Sequence, residues 1–174
     1  MDYFIMSQDK TLLDAVQPTG TANQIQRTPF KRLDPKQLDD QPVQFYIKES
    51  FNPIYIDFIE HPLPLVTDTV KTLLEKYQPN IFFKPVLLTD LKRMRQELYW
   101  LIIPPSISCL ADESVYNVNG TLKKMVLDSG KLKRAKIFTI KGIMENYIIV
   151  RLDVAESLIR RNFIGIKFTK AICV

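Results

Sequence analysis

The chain carries one local pattern twice, and this repeat constrains its fold more than any other feature. The segments PLVTDTVKTLLEKYQPNIFFKPV (64–86) and IIVRLDVAESLIRRNFIGIKFTKA (148–171) both read as strand, helix and strand. Apolar positions match at a constant offset of 84 residues, or of one more in the second strand. The matched pairs are Val66 and Val150, Val70 and Val154, Leu74 and Leu158, Ile81 and Ile166, and Phe83 and Phe168. Helix periodicity alone produces part of such a match, so one module used twice and two unrelated units both remain open.

The first helix has the clearest periodicity. In VTDTVKTLLEKY (66–77), apolar residues recur at i, i+4, i+7, i+8 and i+11, which places them on one helical stripe. Thr67 or Asp68 is predicted to cap the first turn, because its side-chain oxygen can accept an otherwise unpaired backbone N–H.

Strand signals surround these helices. Strands are predicted within 3–6, 55–59, 80–88, 115–118, 121–126, 135–140 and 146–150. Asn119-Gly120 predicts a tight hairpin turn, because both positions tolerate positive φ, and LDSGKL (127–132) predicts another turn. The predicted class is α+β, a mixed and mostly antiparallel sheet with helices packed on it, in a single domain over residues 1–174.

The first 56 residues are the least informative part of the chain. Prolines interrupt the pattern repeatedly between positions 19 and 53. QDKTLLDAV (8–16) could form a short helix that ends before Pro18 and Gly20.

Several classes of protein are disfavoured by composition. No apolar run approaches the roughly 20 residues that span a bilayer, so no membrane partner is expected. The amino terminus, MDYFIMSQDK, lacks the basic region of a secretory signal. The two cysteines are too few for a disulfide framework, and we expect a reduced cytoplasmic protein.

The stretch YWLIIPPSISCLADESVY (99–116) resembles a catalytic cluster, with Cys109 or Ser114 as a nucleophile. Such chemistry usually needs a histidine base, and the single histidine, His61, lies in a predicted loop. We therefore interpret Cys109 as a small buried residue and Asp112 and Ser114 as turn formers, and we expect no catalytic residue. Without a metal-ligand motif or a glycine-rich phosphate loop, no metal or cofactor is expected either.

The order of several short motifs resembles a known family. DF, PLVTDTVKTLLE, YW, CLADES, G…L…VLD…KL…IF, IIV and IGIKF follow one another between about residues 57 and 174. This order is similar to an immunity-protein family of bacterial polymorphic toxin systems, the eleventh in the classification of those systems and formerly a domain of unknown function. Family members typically start the second helix with a serine cap. Arg151 stands there in this chain, so that helix is expected to rely on Asp153.

The resemblance implies function by binding. A protein of this family sits in the cytoplasm, is not an enzyme and neutralises one cognate toxin domain. The resemblance also implies that the segment after the Tyr-Trp pair is a strand, followed by a turn with an acidic residue and a serine.

The distribution of charge suggests where a partner binds. Residues 89–141 hold 10 basic and 5 acidic side chains, and their excess equals the whole net charge of +5. The predicted partner-binding residues are Lys123, Lys124, Lys131, Lys133, Arg134 and Lys136. Strand alternation is expected to place Lys131, Lys133 and Lys136 on one face, approached by Lys123 or Lys124 from the paired strand. Such a face would suit an acidic partner, although most charge runs are merely solvated.

Other functions remain open. A nucleic-acid-binding module could use the basic segment 123–141, favoured by the sequence pI of about 9.1, although the chain has no nucleic-acid-binding motif and nucleic acid is the less favoured partner. An uncharacterised hydrolase using Cys109 or Ser114 is the third class. Nuclease inhibitors often present acidic surfaces, so the basic charge favours a toxin with an acidic cleft or one blocked elsewhere. A second copy of the chain could also pair with exposed strand edges.

Overall fold

A computed structural model of the chain describes residues 1–21 and 42–174. The rest of the proline-interrupted stretch lies outside the described residues. The elements up to the first helix are β1 (Tyr3–Gln8), β2 (Pro18–Thr21), β3 (Val43–Ile47), β4 (Phe58–Ile59), β5 (Leu65–Thr67) and α1 (Asp68–Tyr77). Then come β6 (Phe82–Asp90), β7 (Arg95–Ile103), β8 (Ser106–Ile107), β9 (Val115–Tyr116), β10 (Leu122–Lys124), β11 (Val126–Leu127) and α2 (Ser129–Leu132). The last are β12 (Ile137–Ile140), β13 (Ile148–Arg151), α3 (Leu152–Ile159), β14 (Ile166–Lys170) and β15 (Ile172–Cys173).

Two larger sheets and two strand pairs organise these elements. The larger sheets have the orders β2-β3-β6-β7-β5-β4 and β14-β1-β13-β12-β8, and the pairs are β9 with β10 and β11 with β15. Most neighbours are antiparallel, whereas β3 with β6, β8 with β12 and β11 with β15 are parallel. The predicted α+β class with mixed, mostly antiparallel pairing is therefore confirmed in outline. The expectation of one sheet is wrong, because β1 and β7 each complete a separate sheet.

Both helices of the repeat form where the apolar stripes predict them. Val70 and Leu74 of α1 are buried, and so are Val154 and Leu158 of α3. Thr67 occupies the cap position of α1 as predicted, but the predicted side-chain cap hydrogen bond is wrong, because its hydroxyl instead donates to Asp57 Oδ1 at 2.8 Å.

The start of α3 depends on a different pair. Arg151 occupies the cap position, and its Nε donates to Asp153 Oδ1 at 2.8 Å. This bond lowers the pKa of the Asp153 carboxyl, so the carboxylate stays charged in the first helical turn, where negative charge is favourable.

The same arrangement of strands and helix is built twice. The first unit comprises residues 43–103, in which β4, β5, β7 and β6 lie side by side and α1 links β5 to β6. The second unit comprises residues 126–173 together with β1, and its strands β12, β13, β1 and β14 have the same order around α3. In the first unit β3 extends the sheet as a parallel neighbour of β6, whereas in the second unit β11 pairs in parallel with β15, the strand after β14, as a separate two-stranded pair.

Strand registers make the two units comparable residue by residue. Val66 lies opposite Trp100 in the first unit, and Val150 lies opposite Phe4 in the second. Phe83 lies opposite Ile102, and Phe168 lies opposite Met6. Ile102 lies two residues after Trp100, and Met6 lies two residues after Phe4. The two units therefore have the same strand register, and this register reproduces the change in offset from 84 to 85 residues that the sequence shows.

Two tyrosines form the same hydrogen bond in the two units. The Tyr99 hydroxyl donates to the carbonyl of Ile56 at 2.8 Å, and the Tyr3 hydroxyl donates to the carbonyl of Ala135 at 3.2 Å. Each carbonyl stands two residues before the first residue of β4 or β12. Each bond therefore ties the middle strand of a unit to the start of its outer strand.

The helices pack in a core that both units share. This central cluster contains Val70 and Leu74 from α1 with Val154 and Leu158 from α3. Each sheet also buries its opposite face, the first around Phe45 and Leu101 and the second around Leu127 and Phe138. The units therefore share one central core and each has a second core of its own.

Local predictions failed at three places. QDKTLLDAV forms no helix; it forms turns and a bridge between Ala15 and Ile54. The strand expected at 55–59 is reduced to β4. The turn expected at LDSGKL is the short helix α2, because the Asp128 side chain accepts hydrogen bonds from the N–H groups of Gly130 and Lys131. In residues 1–21 and 42–174, no helix is long and apolar enough to cross a membrane.

Candidate protein-binding surface

The six predicted partner-binding residues do not share one strand-paired face. Lys123 and Lys124 lie on β10, whose strand partner is β9. Lys131 lies on α2, and the other three follow it in the connection to β12. The predicted alternation is wrong, because the residues after Asp128 form a helical turn and no strand pairs them with β10.

Lys131 is already engaged within the chain. Its Nζ lies 3.1 Å from Asp128 Oδ2 and donates to the carbonyl of Leu110 at 3.0 Å. The hydrogen bond from Lys131 is the main cause of the lowered pKa of Asp128. Lys131 therefore stabilises the start of α2 and holds it against the segment before β9.

Lys136 also has a structural role. Its backbone N–H donates to Gln78 Oε1 at 3.1 Å, and its ammonium lies 5.4 Å from the centre of the Tyr77 ring. Both partners lie at the end of α1, so Lys136 joins the second unit to the first.

The remaining four cations are exposed and available. Lys123, Lys124, Lys133 and Arg134 have no carboxylate within ion-pair distance among the described residues. Unpaired charge on an exposed surface can attract an acidic partner over a distance of about 10 Å at moderate ionic strength.

The turn between β9 and β10 is held by its own hydrogen bonds. Gly120 N–H donates to the carbonyl of Asn117 at 2.9 Å, and Asn119 Oδ1 accepts from Thr121 N–H at 3.1 Å. Of the predicted pair, only Gly120 has positive φ (81°), so the turn sits at the predicted place but uses one left-handed residue instead of two. The turn therefore presents its side chains from a defined backbone.

Large apolar side chains stand exposed on this hairpin beside the lysines. Val115 and Tyr116 are 45% and 47% exposed, and Val118 is fully exposed. We call Val115, Tyr116, Val118, Lys123 and Lys124 the hairpin surface. Tyrosine is a typical anchor at protein interfaces, and the exposed valines beside it can add apolar contact area. The three apolar members were not among the predicted partner-binding residues, although the apolar residues of VYNV (115–118) just before the Asn119-Gly120 turn are visible in the sequence.

The two candidate nucleophiles, Cys109 and Ser114, both have structural roles. Cys109 is fully buried, and burial raises the pKa of its thiol to about 11, which disfavours the nucleophilic thiolate. The Ser114 hydroxyl donates to the carbonyl of Val126 at 3.0 Å and accepts from its N–H at 3.2 Å. The predicted burial of Cys109 and the turn at Ser114 are confirmed.

Trp100 of the same stretch contributes to the central core. Its Nε1 donates to Asp68 Oδ1 at 2.9 Å, and Lys71 Nζ lies 4.5 Å from its ring centre. The tryptophan therefore anchors α1 to β7. His61 lies exposed in the loop between β4 and β5, as the sequence predicted.

The described ranges contain no group of three or more histidine, cysteine, aspartate or glutamate side chains that could hold a metal ion. Compared with known proteins, the chain matches no family model and no curated sequence.

Proposed function

We propose that this protein is a non-enzymatic immunity protein that neutralises a cognate bacterial toxin domain by direct contact in the cytoplasm. The proposed contact area is the hairpin surface together with Lys133 and Arg134. It retains four of the six cations predicted from the sequence and adds the three exposed apolar residues.

The observation that carries the binding role is the composition of the hairpin surface. Its exposed Tyr116 and valines can bury apolar area against a partner, while Lys123 and Lys124 form no ion pair with any of the described residues. Apolar anchors supply most of the affinity in such interfaces, and unpaired charges accelerate association with a partner of opposite sign.

The identity of the partner rests on the resemblance in sequence. The order of motifs between about 57 and 174 is similar to that of immunity proteins. An acidic toxin surface fits the basic residues, whereas a nuclease blocked by mimicry of nucleic acid would require the opposite charge. The genetic neighbour to search for is therefore a gene encoding a protein that ends in a toxin domain.

The first experiment combines protection with binding kinetics. The chain is coexpressed with the toxin domain of the neighbouring gene, and we expect it to restore growth. Replacing Lys123, Lys124, Lys133 and Arg134 with glutamate should slow association about 10-fold or more at low salt and flatten its salt dependence. The control is Lys10→Glu/Lys48→Glu, which reverses two exposed charges outside the basic segment, half as many as the test variant.

If the charge-reversed variant associates as fast as the wild type at low salt, the basic residues are only a solvated face and do not contact the toxin. Failure of the wild type to bind or to protect against the toxin would overturn the proposed function itself. His61→Ala, Cys109→Ser and Ser114→Ala should retain protection if they fold, because none is proposed to act as an acid, base or nucleophile.

Nucleic-acid binding is the second candidate, favoured by the same unpaired cations. Its signature would be affinity for mixed DNA or RNA that falls steeply with salt, because binding to phosphates releases counterions. Tight binding of this kind, lost in the charge-reversed variant but not in the Lys10→Glu/Lys48→Glu control, would favour it over the toxin inhibitor.

A further inference from the structure

A cleft of about 300 Å³ lies between the loop from β4 to β5 and the loop that precedes β13. These loops are equivalent in the two units, and the lining residues come from both units, so the cleft lies where the units meet. Its apolar lining residues are Met6, Phe58, Pro64 and Met144. Two carboxylates, Glu60 and Glu145, line the same space.

Both carboxylates lack a charged partner in the described parts of the chain. Glu145 Oε1 accepts from the N–H of Leu122 at 2.6 Å, but its Oε2 is buried and has no hydrogen-bond partner among the residues that the structure describes. Glu60 Oε2 accepts one long bond of 3.4 Å from the N–H of Gln8. No lysine, arginine or histidine in the described ranges lies within ion-pair distance of either carboxylate.

The negative charges of Glu145 and Glu60 affect the pKa of the same residue, Tyr147. Burial is the main cause of its raised pKa, and the charges of Glu145 and Glu60 raise the pKa further. A buried carboxylate oxygen without a donor is unfavourable, and a second carboxylate nearby adds repulsion. A cation in the cleft would relieve both costs.

We infer that this cleft binds an alkyl guanidinium or alkyl ammonium group. The charged head would donate hydrogen bonds to Glu145 Oε2 and to Glu60, and the aliphatic stem would lie against the apolar walls. Arginine and lysine side chains have this combination of a charged end and an apolar stem.

The position of the cleft favours a cation carried by the partner protein. The Leu122 N–H bonded to Glu145 belongs to β10, and a methyl group added at Gly120 would lie 3.5 Å from Met144 Sδ. The cleft therefore adjoins the hairpin surface, and a partner covering that surface could insert an arginine or lysine. This source rests on the proposed function; a free small amine is the other source of the same chemistry.

The test begins with the full chain alone. It is titrated with butylguanidinium chloride and with the neutral analogue N-butylurea, while amide NMR shifts are recorded. Butylguanidinium should shift the Leu122 amide saturably, with a dissociation constant of roughly 1–10 mM for so small a ligand. Butylurea should bind at least about 10-fold more weakly, because it lacks the charge. Equal affinity for the two probes, or no saturable shift with butylguanidinium, would overturn the inference.

Variants then locate the cation. Glu145→Gln retains an oxygen acceptor for Leu122 N–H but removes the charge, so it should weaken butylguanidinium binding about 10-fold. Glu60→Gln should also weaken it, whereas Glu113→Gln, an exposed carboxylate that does not line the cleft, should have no effect. Unchanged affinity in both cleft variants would overturn the inference. If Glu145→Gln does not fold, Glu60→Gln and the two probes still decide the outcome.

A competition experiment identifies the source of the cation. If the partner supplies it, saturating butylguanidinium and Glu145→Gln should both weaken toxin binding. If neither does so while butylguanidinium still binds, a free amine is the ligand. The titrations need no toxin, so their failure is distinguishable from a failure of protection in the immunity assay.

Discussion

The first and second units place equivalent strands at equivalent positions but obtain their middle strand differently. In the first unit β7 follows β6 directly in the chain, and their pairing extends from Phe82 opposite Ile103 to Asp90 opposite Arg95. In the second unit the middle strand is β1, which lies at the opposite end of the chain from β14. Equivalent positions in the two sheets are therefore filled by strands that differ in their order along the chain.

The difference makes the second unit dependent on the first residues of the chain. The N–H of Ala171 donates to the carbonyl of Tyr3 at 2.9 Å, and Lys170 Nζ lies 3.1 Å from Asp2 Oδ2. The described chain ends therefore lie beside each other, as the two ends of a hairpin would. A short connection between them would make the second unit continuous like the first.

The largest expected effect comes from removing β1. Deletion of residues 1–8 takes the strand between β13 and β14 out of its sheet and removes Tyr3 and Met6 from two cores. The loss exceeds what a domain with a typical stability of about 5–15 kcal/mol can tolerate. We expect no cooperative unfolding transition in urea, monitored by circular dichroism.

Transplanting the deleted strand supplies the control. Residues 1–8 fused after Val174 through a flexible linker of about six residues should restore cooperative unfolding, since the ends are adjacent. A cooperative transition in the deletion variant, or none in the permuted chain, would show that β1 does not complete the second unit as described.

The second effect concerns the paired helix positions. Leu74→Ala and Leu158→Ala should each lower the free energy of unfolding by about 2–5 kcal/mol, because both side chains are fully buried in the shared core. The exposed controls Thr72→Ala and Glu156→Ala should change it by less than about 0.5 kcal/mol. A wild-type midpoint for one leucine variant alone would break the equivalence of α1 and α3.

A smaller effect separates backbone strain from crowding between the units. Gly165 has φ of 81°, and a Cβ added there would lie 2.6 Å from Ile56 Cβ in the first unit. Gly142 has φ of 88°, and apart from its chain neighbours no described residue has an atom within 4 Å of an added Cβ. Gly165→Ala should cost about 2–4 kcal/mol, from strain and overpacking together, whereas Gly142→Ala should cost about 1 kcal/mol from strain. Similar costs measured by urea unfolding would mean that Ile56 moves aside.

Local periodicity predicted the parts of the fold that depend on neighbouring residues. The stripes through Val70 and Leu74, and through Val154 and Leu158, predicted both helices and their buried faces. The sequence did not reveal that Tyr99-Trp100 and Tyr3-Phe4 occupy equivalent places. One pair follows its helix and the other precedes it in the chain, so a constant offset cannot align them, and strand pairing is decided by distant residues.

The sequence predicted the positive charge of the candidate site but not the arrangement of its side chains. The positions of Lys123, Lys124, Lys133 and Arg134 in a basic segment were visible in the sequence. Lys131 pairs with Asp128, whose side chain caps α2. The sequence LDSGKL predicted a turn there, so neither the cap nor the ion pair was predicted. The sequence could not predict that Glu60 and Glu145 line one cleft, because the cleft forms only where the two units pack.

The smallest expected effect tests the matched tyrosine hydrogen bonds. Tyr99→Phe leaves the carbonyl of Ile56 without its buried donor and should cost about 1–2 kcal/mol, whereas the longer and partly exposed bond of Tyr3 should cost about 0.5–1 kcal/mol in Tyr3→Phe. Urea unfolding at pH 7 measures both.

The same pair predicts a dependence on pH. Burial raises the pKa of both phenols above the ordinary tyrosine value of about 10, so the folded chain holds these protons more tightly than the unfolded chain. Their contribution to stability is complete below pH 10 and is lost as the pH rises through the folded pKa values. The double variant Tyr3→Phe/Tyr99→Phe should therefore lose less stability than the wild type between pH 9 and pH 11. Equal losses would show that the two hydroxyls are not held in the matched, buried positions that define the two units.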